Sequence, residues 1–146
     1  MRVLIQRVRS ADVQVAGRSV GRIDRGLLVY VGVKAGDGVE QARWLAEKVA
    51  QMRIFEDEGG KMNLSVQDVR GGVLAVPSFT LLADARQGRR PAFDAAARPE
   101  AARAMFEQFT AALHEAKLPV AQGVFGAEML IRSDADGPVN IVLDSP

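Results

Sequence analysis

Two hydroxyls, Ser78 and Thr80, flank Phe79 just ahead of a loop that carries Arg86, Arg89 and Arg90. Guanidinium groups on a loop suit phosphate oxygens through charge-assisted hydrogen bonds, and such a loop would leave the hydroxyls near the end of a bound nucleic acid. A solvated basic loop accounts for the same pattern, so the residues alone leave both readings open. The remaining candidates are thinner. His114, the only histidine, falls about 180° round a helix from the apolar Met105 and reads as solvated. The GVKAGDG stretch at residues 32–38 follows a strand and precedes a helix, but no Lys-Ser/Thr pair follows and the glycines fit no dinucleotide fingerprint, so it reads as a plain turn. Glu56, Asp57 and Glu58 beside Gly59-Gly60 read as a solvated turn, and no metal is assigned.

Cysteine is absent, which excludes disulfides, thiolate nucleophiles, Cys-based zinc sites and iron–sulfur clusters. One histidine leaves little for a His-based triad or a multi-His metal site. Catalysis must therefore use other groups. Fifteen arginines and four lysines make up the 19 basic residues against 18 acidic ones, a net charge of +1. The whole-molecule field thus announces no nucleic-acid binder, and charge has to be read locally. Arginine is the better bidentate partner for phosphate, although a GC-rich genome also explains the excess.

The chain of 146 residues with 48% hydrophobic and 25% charged residues has the composition and length of one globular domain, residues 1–146. The arginines scattered through MRVLIQRVRS leave no apolar core for a secretory signal. The longest apolar run, Gly26 to Val33, is too short to span a bilayer. A cytoplasmic location is expected.

Alternation from Val3 to Arg9 and a turn at Ala16-Gly17 predict an antiparallel hairpin. Gly26 to Val33 is apolar on both faces, as in a central strand covered twice. Apolar residues at helical spacing predict a helix over Val39 to Met52, and a second one starts at Pro99 and ends before Pro119. Between them, RIFEDEGGKMNLSV predicts two short strands around Gly59-Gly60, and VLAV a strand closed by Pro77. Leu82 to Arg98 reads as a loop. Two last strands are expected around Val124 to Arg132 and Val139 to Leu143, joined by a polar turn from Ser133 to Pro138. The expected fold class is mixed α+β, a largely antiparallel, barrel-like sheet covered by two amphipathic helices.

Taken in order, Gln6-Arg7-Val8, Gly26-Leu27-Leu28-Val29, Arg53-Ile54-Phe55, Gly60-Lys61-Met62-Asn63-Leu64, Phe79-Thr80-Leu81, Gly88-Arg89-Arg90-Pro91, Gly123 to Met129 and Asp136-Gly137-Pro138-Val139 resemble the D-aminoacyl-tRNA deacylase family along nearly the whole chain. The resemblance implies a homodimer that hydrolyses the ester of a D-amino acid, or of glycine, mischarged on tRNA, with no cofactor. It implies tRNA as the partner, and neither DNA nor a membrane.

An aminoacyl ester is already activated, and the neighbouring ribose hydroxyl of the terminal adenosine can help activate water, which explains why the family needs no histidine or cysteine. In the family a Gly-Pro pair with a cis peptide bond reaches into the partner subunit's pocket, where backbone carbonyls hold the α-ammonium and an L side chain would collide. Gly137 and Pro138 match that pair, and Arg7 matches the residue that orients it. The resemblance places backbone N–H groups around Ser78, Phe79 and Thr80 at the developing oxyanion, with Thr80 shaping the pocket. Phe125 and Met129 would receive the terminal adenosine, an aromatic face and a thioether suiting a base, although both also fit an ordinary core.

The chain departs from the family at Pro77, which stands where a serine is usual, so the first hydroxyl is lost and no N–H is available there. Ser78 comes one residue later and would face away if the strand continued. Ala135 and Asn140 replace the usual Asn and Thr around Gly-Pro. Two alternatives stay open on these grounds, a non-catalytic tRNA-binding relative and a small-molecule hydrolase using the same pocket.

Overall fold

The computed structural model describes residues 1–146. The first strand, β1 (Arg2–Val15), carries valine and isoleucine at alternate positions and turns through Ala16-Gly17 into β2 (Arg18–Ile23), the predicted hairpin. β3 (Gly26–Gly32) follows and lies antiparallel beside the first half of β1. The first helix, α1 (Val39–Gln51), starts at Gly38, where the Gln41 side chain accepts the Gly38 N–H at 2.9 Å. β4 (Phe55–Glu56) and β5 (Met62–Leu64) form a small separate hairpin. In its turn the Asp57 carboxylate accepts the N–H groups of Gly59 and Lys61, at 2.9 and 3.0 Å. β6 (Gly72–Pro77) then runs parallel to β3 and ends in a short 3-10 turn, Phe79–Leu82. α2 (Pro99–Glu115) has proline in its first turn, β7 (Val120–Gln122) lies parallel to β6, and β8 (Leu130–Asp144) returns along β1.

The main sheet is ordered β2-β1-β3-β6-β7, with β8 on the other edge of β1. All three pairings of β1 are antiparallel, whereas β3-β6 and β6-β7 are parallel. The sheet is therefore mixed, and the expectation of a largely antiparallel sheet describes only the β1 side. It curls until β2 approaches β7. At that seam an added Cβ on Gly21 would lie 2.6 Å from the Gln122 carbonyl oxygen, so only glycine permits the near closure into a barrel.

β3 is buried on both faces because two cores meet across it. Leu27, Val29 and Val31 face α1 and α2 in the larger core, together with Leu45, Val49, Phe106 and Phe109. Leu28 faces the barrel interior with Val8, Val13, Leu74 and Val76. Each such large side chain withdrawn from water contributes about 1.5–3 kcal/mol, so the apolar character of β3 reflects a double load.

One expectation fails. The polar stretch Ser133–Pro138 is not a turn between two strands but lies inside β8, paired along β1. The first of the two expected strands is shorter than predicted, since residues 124–127 turn, with the Ala127 N–H on the Val124 carbonyl at 3.2 Å, and β8 begins only at Leu130. β1 offers a continuous edge long enough to hold the polar residues extended, and their turn chemistry is spent on a bulge. Val8 pairs with Ala135 and Gln6 with Asn140, so Asp136 to Val139 stand opposite Arg7 alone.

At the far end of β8, Asp144 bridges Arg2 at 2.9 Å and Lys34 at 2.7 Å. Hydrogen bonds from Arg2 and Lys34 hold its carboxyl down to about 2 from the ordinary 3.8. A depressed carboxylate contributes stability above its unfolded pKa and loses it as pH falls through the folded one. Solvent screening of this 40% exposed side chain keeps the contribution under about 1 kcal/mol. Asp144→Asn is expected to lower stability by that amount in urea titrations at pH 7, an effect that shrinks as pH falls from about 4 and is lost only below about 2.

No helix is long and apolar enough to cross a membrane.

Candidate active site

Parallel strands leave their carboxyl ends open where crossover connections depart, and ligands in α/β sheets bind there. β3 and β6 end side by side, with Val31 opposite Pro77. Beyond them is a cavity of about 410 Å³, lined by Val31, Val33, Pro77, Ser78, Phe79, Phe93, Ala96, Ala97, Pro99, Ala102, Phe106, Phe125 and Gly126. This volume is in the range of small-molecule sites. None of the lining side chains is ionisable.

Pro77 closes β6, and the chain bends there instead of continuing. Ser78 consequently turns into the cavity wall rather than facing away from it. Its N–H donates to the Val31 carbonyl at 2.8 Å, which commits that group to the fold. The first bond of the 3-10 turn runs from the Leu81 N–H to the Ser78 carbonyl at 3.3 Å, so the N–H groups of Phe79 and Thr80 stand ahead of the ladder, as at any helix start. The hydroxyls of Ser78 and Thr80 are 3.1 Å apart and share one hydrogen bond.

Phe79 is 59% exposed at the mouth of the cavity. The Phe93 ring meets it edge-on, with centroids 5.1 Å apart. Phe93 belongs to the segment read as an irregular loop, and no periodicity marked it. The loop is tied down by a two-way backbone pairing of Asp84 with Ala92, both bonds 2.8 Å, and by the Ala97 N–H on the Val33 carbonyl at 2.9 Å. Those bonds bring Phe93, Ala96 and Ala97 to the cavity.

The three arginines of that loop are not equivalent. Arg86 grips Asp84 with both Nε and Nη2, at 2.9 and 2.5 Å, and the pairing lowers the Asp84 pKa and raises that of Arg86. Arg86 is thus already paired with a carboxylate, whereas the sequence leaves the three arginines alike. Arg89 and Arg90 are exposed and take part in none of the chain's ion pairs.

Phe125 lines the cavity as expected. The guanidinium carbon of Arg103, an exposed residue of α2, lies 4.9 Å above its ring. Neither the arginine nor the contact was evident from the sequence. Met129 is elsewhere: it packs on the inner core, where an added Cβ on Gly123 would lie 2.7 Å from its sulfur. The structure does not bring it to the cavity.

Gly137 and Pro138 also lie outside the cavity of their own chain, exposed on the β8 bulge, and their peptide bond is cis. Arg7 anchors the bulge from below. It is buried, donates through Nη1 to the Ile54 carbonyl at 2.7 Å, and sets Nε 3.1 Å from Asp136 Oδ2. The Nε contact is an ion pair without an aligned hydrogen bond. Gly137 has φ +127°, and an added Cβ would fall 3.6 Å from Arg7 Nη2. Asn140 accepts a hydrogen bond from Gln6 at 2.9 Å, one row along, while Ala135 sits exposed opposite Val8. His114 is exposed, away from the lining.

Comparison with known proteins brings these features together. Residues 4–144 match the family profile described as D-Tyr-tRNA(Tyr) deacylase. The D-aminoacyl-tRNA deacylase of Geobacter metallireducens is 51% identical over 146 residues, covering 100% of this chain and 97% of the relative. That of Chloroflexus aurantiacus is 55% identical over 145 residues, covering 99% and 91%. Among solved structures, one named c-Myc DNA Unwinding Element Binding Protein superposes with a TM-score of 0.94 at 35% identity, over 100% of this chain and 99% of the other. Another, described as a "probable eukaryotic D-amino acid tRNA deacylase", has a TM-score of 0.85 at 19% identity, covers 98% of each chain, and shares the fold.

Proposed function

Because the chain belongs to the D-Tyr-tRNA(Tyr) deacylase family, we propose that it is a hydrolase that cleaves the ester of D-aminoacyl-tRNA, and of Gly-tRNA, to free amino acid and tRNA. The observation that carries this reading is the cavity at the ends of β3 and β6, apolar and free of ionisable side chains, with Phe125 in its wall and two N–H groups at its edge. Such a site positions an activated ester rather than attacking it. Water adds to the ester carbonyl, the bond to the ribose 3′-oxygen breaks, and the vicinal 2′-hydroxyl relays a proton from the water to that departing oxygen. The N–H groups of Phe79 and Thr80 hold the oxyanion. The Ser78 N–H, bound to Val31, is left out of that role.

Chiral selection falls to Gly137 and Pro138 of a second copy. Their exposure outside their own cavity supports this, as does β8, whose outer edge meets no strand and which exposes Leu130 and Val142. Edges of that kind pair or are covered, and a two-fold dimer would exchange the two bulges reciprocally. Arg7 and Asp136 hold the bulge in place for that exchange. A tRNA substrate implies a cytoplasmic enzyme.

Incubating catalytic amounts of the protein with D-Tyr-tRNA, Gly-tRNA and L-Tyr-tRNA tests the proposal, with mass by light scattering in the same buffer. Turnover of the first two and rejection of the third by a dimer is the expected result. Binding of tRNA with no turnover would identify a non-catalytic relative, which the loss of a hydroxyl at Pro77 favours as the second reading. Turnover of free amino-acid esters alone would identify a small-molecule hydrolase. The neighbour named for a DNA element makes duplex DNA a necessary competitor in the binding arm, where it should not displace tRNA.

Arg89 and Arg90 serve tRNA affinity through phosphates, their charges being unpaired. Replacing both by alanine is expected to weaken tRNA binding and to reduce the slope of log K against log salt by about 1–2, with turnover at saturation unchanged. Titration of tRNA at several salt concentrations reads this directly, and an unaltered slope would return the pair to a solvated loop.

A further inference from the structure

An apolar cavity can take a base and a ribose, but the phosphodiester attached to them must remain where a charge can be hydrated or paired. No lining residue of the cavity is charged, so the partner for that phosphate has to stand at the mouth. Among the cations in this region, Arg86 is bound to Asp84 and Lys34 to Asp144, and of those outside any ion pair, Arg89, Arg90, Arg98 and Arg103, only Arg103 is held against a lining side chain, Phe125. Arg103 is not committed. It enters none of the ion pairs of the chain, although Glu100 and Glu107 lie one turn to either side of it.

Its place is set by α2. Pro99, Ala102 and Phe106 line the cavity, and Arg103 falls beside Ala102, where the buried stripe gives way to solvent. Its guanidinium is held over the Phe125 ring at 4.9 Å. A cation held over a ring face gives up none of its N–H donors, which stay available for bidentate contact with a phosphate. We infer that Arg103 is a substrate-binding residue, which takes the phosphodiester on the 5′ side of the terminal nucleotide from its place over the Phe125 ring. This rests on the reading of the cavity as the site for the 3′ end of tRNA.

The probes are a single-stranded oligonucleotide ending in 3′-CCA and adenosine, which carries the base and ribose without the phosphodiester. Arg103→Ala is expected to weaken binding of the oligonucleotide about tenfold or more and to lower its salt slope by about 0.7, the value for one phosphate contact on a single strand. Adenosine binding should stay within about twofold, since that ligand lacks the group the guanidinium takes. Arg103→Lys, which keeps the charge and loses the planar fork, should restore the salt slope but not the full affinity. Because Arg103 is exposed on a helix where alanine is favourable, the variant is expected to fold.

Equal losses for adenosine and oligonucleotide would mean that Arg103 only supports the Phe125 ring, and would overturn the phosphate assignment. No loss for either would overturn it as well. Oligonucleotide binding that depends on Arg103 in a protein that hydrolyses no aminoacyl ester would uphold the phosphate site and remove the catalytic reading. Hydrolysis of D-aminoacyl-tRNA with an unchanged KM in Arg103→Ala would do the reverse.

Discussion

Gly137→Ala is expected to lower kcat/KM for D-aminoacyl-tRNA by about a hundredfold or more, with the fold retained. An added Cβ would lie 2.7 Å from the Val139 nitrogen and 2.8 Å from its Cγ2, in a backbone at φ +127°. Backbone forced through such a conformation costs about 1–3 kcal/mol, and the bulge can avoid the cost only by moving. A displacement of about 1 Å in a group that positions substrate is enough for a hundredfold loss. The bulge is exposed on a strand whose other residues keep their pairing with β1, so thermal unfolding should shift far less than activity. Thr80→Ala supplies the contrast. Its hydroxyl is paired only with Ser78, and the proposed oxyanion contacts are backbone groups, so a loss under about tenfold is expected. Single-turnover hydrolysis of D-Tyr-tRNA by the two variants measures both. The opposite order would assign the chemistry to a side chain.

Removing the 2′-hydroxyl of the terminal adenosine should have an effect of similar size. General base assistance contributes about 10²–10⁴ in rate, and no side chain lining the cavity can supply it at neutral pH. Ser78 and Thr80 offer unactivated hydroxyls, and Arg103 at the mouth is a permanent cation. A 3′-D-aminoacyl-tRNA ending in 2′-deoxyadenosine is therefore expected to bind with little change and to hydrolyse at least about a hundredfold more slowly. Comparison of kcat with the normal substrate reads the difference. An undiminished kcat would require a base from the protein and a different catalytic centre.

Elements buried by one local pattern were legible in the sequence, and those made by distant pairing were not. The run Leu27 to Val31 has no polar face because it separates two cores, a property visible in the residues themselves. The stripe on α2 and the proline at its start were equally plain. Ser133 to Pro138 has the composition of a turn, and only the length of β1 turns it into a bulged strand. Arg86 carried a warning in Asp84 two residues earlier, a spacing that lets one carboxylate take the whole guanidinium fork. Phe93 and Arg103 gave no signal at all. The loop that delivers Phe93 has no period, and Arg103 looks like any solvated helix arginine until Phe125 is placed beneath it. Met129 carried two readings, since a thioether that suits a base also packs well against an apolar core, where it lies here.

β1 is joined along one edge by strands made soon after it, and along the other by β8, which comes far later in the chain. On the ribosome, that second edge stays open until β8 clears the exit tunnel. Pairings of such long sequence separation form slowly and leave intermediates prone to association. The same segment brings Gly137 and Pro138, so a chain that ends before it lacks both the β8 edge of the sheet and the bulge on which the proposed chiral selection depends.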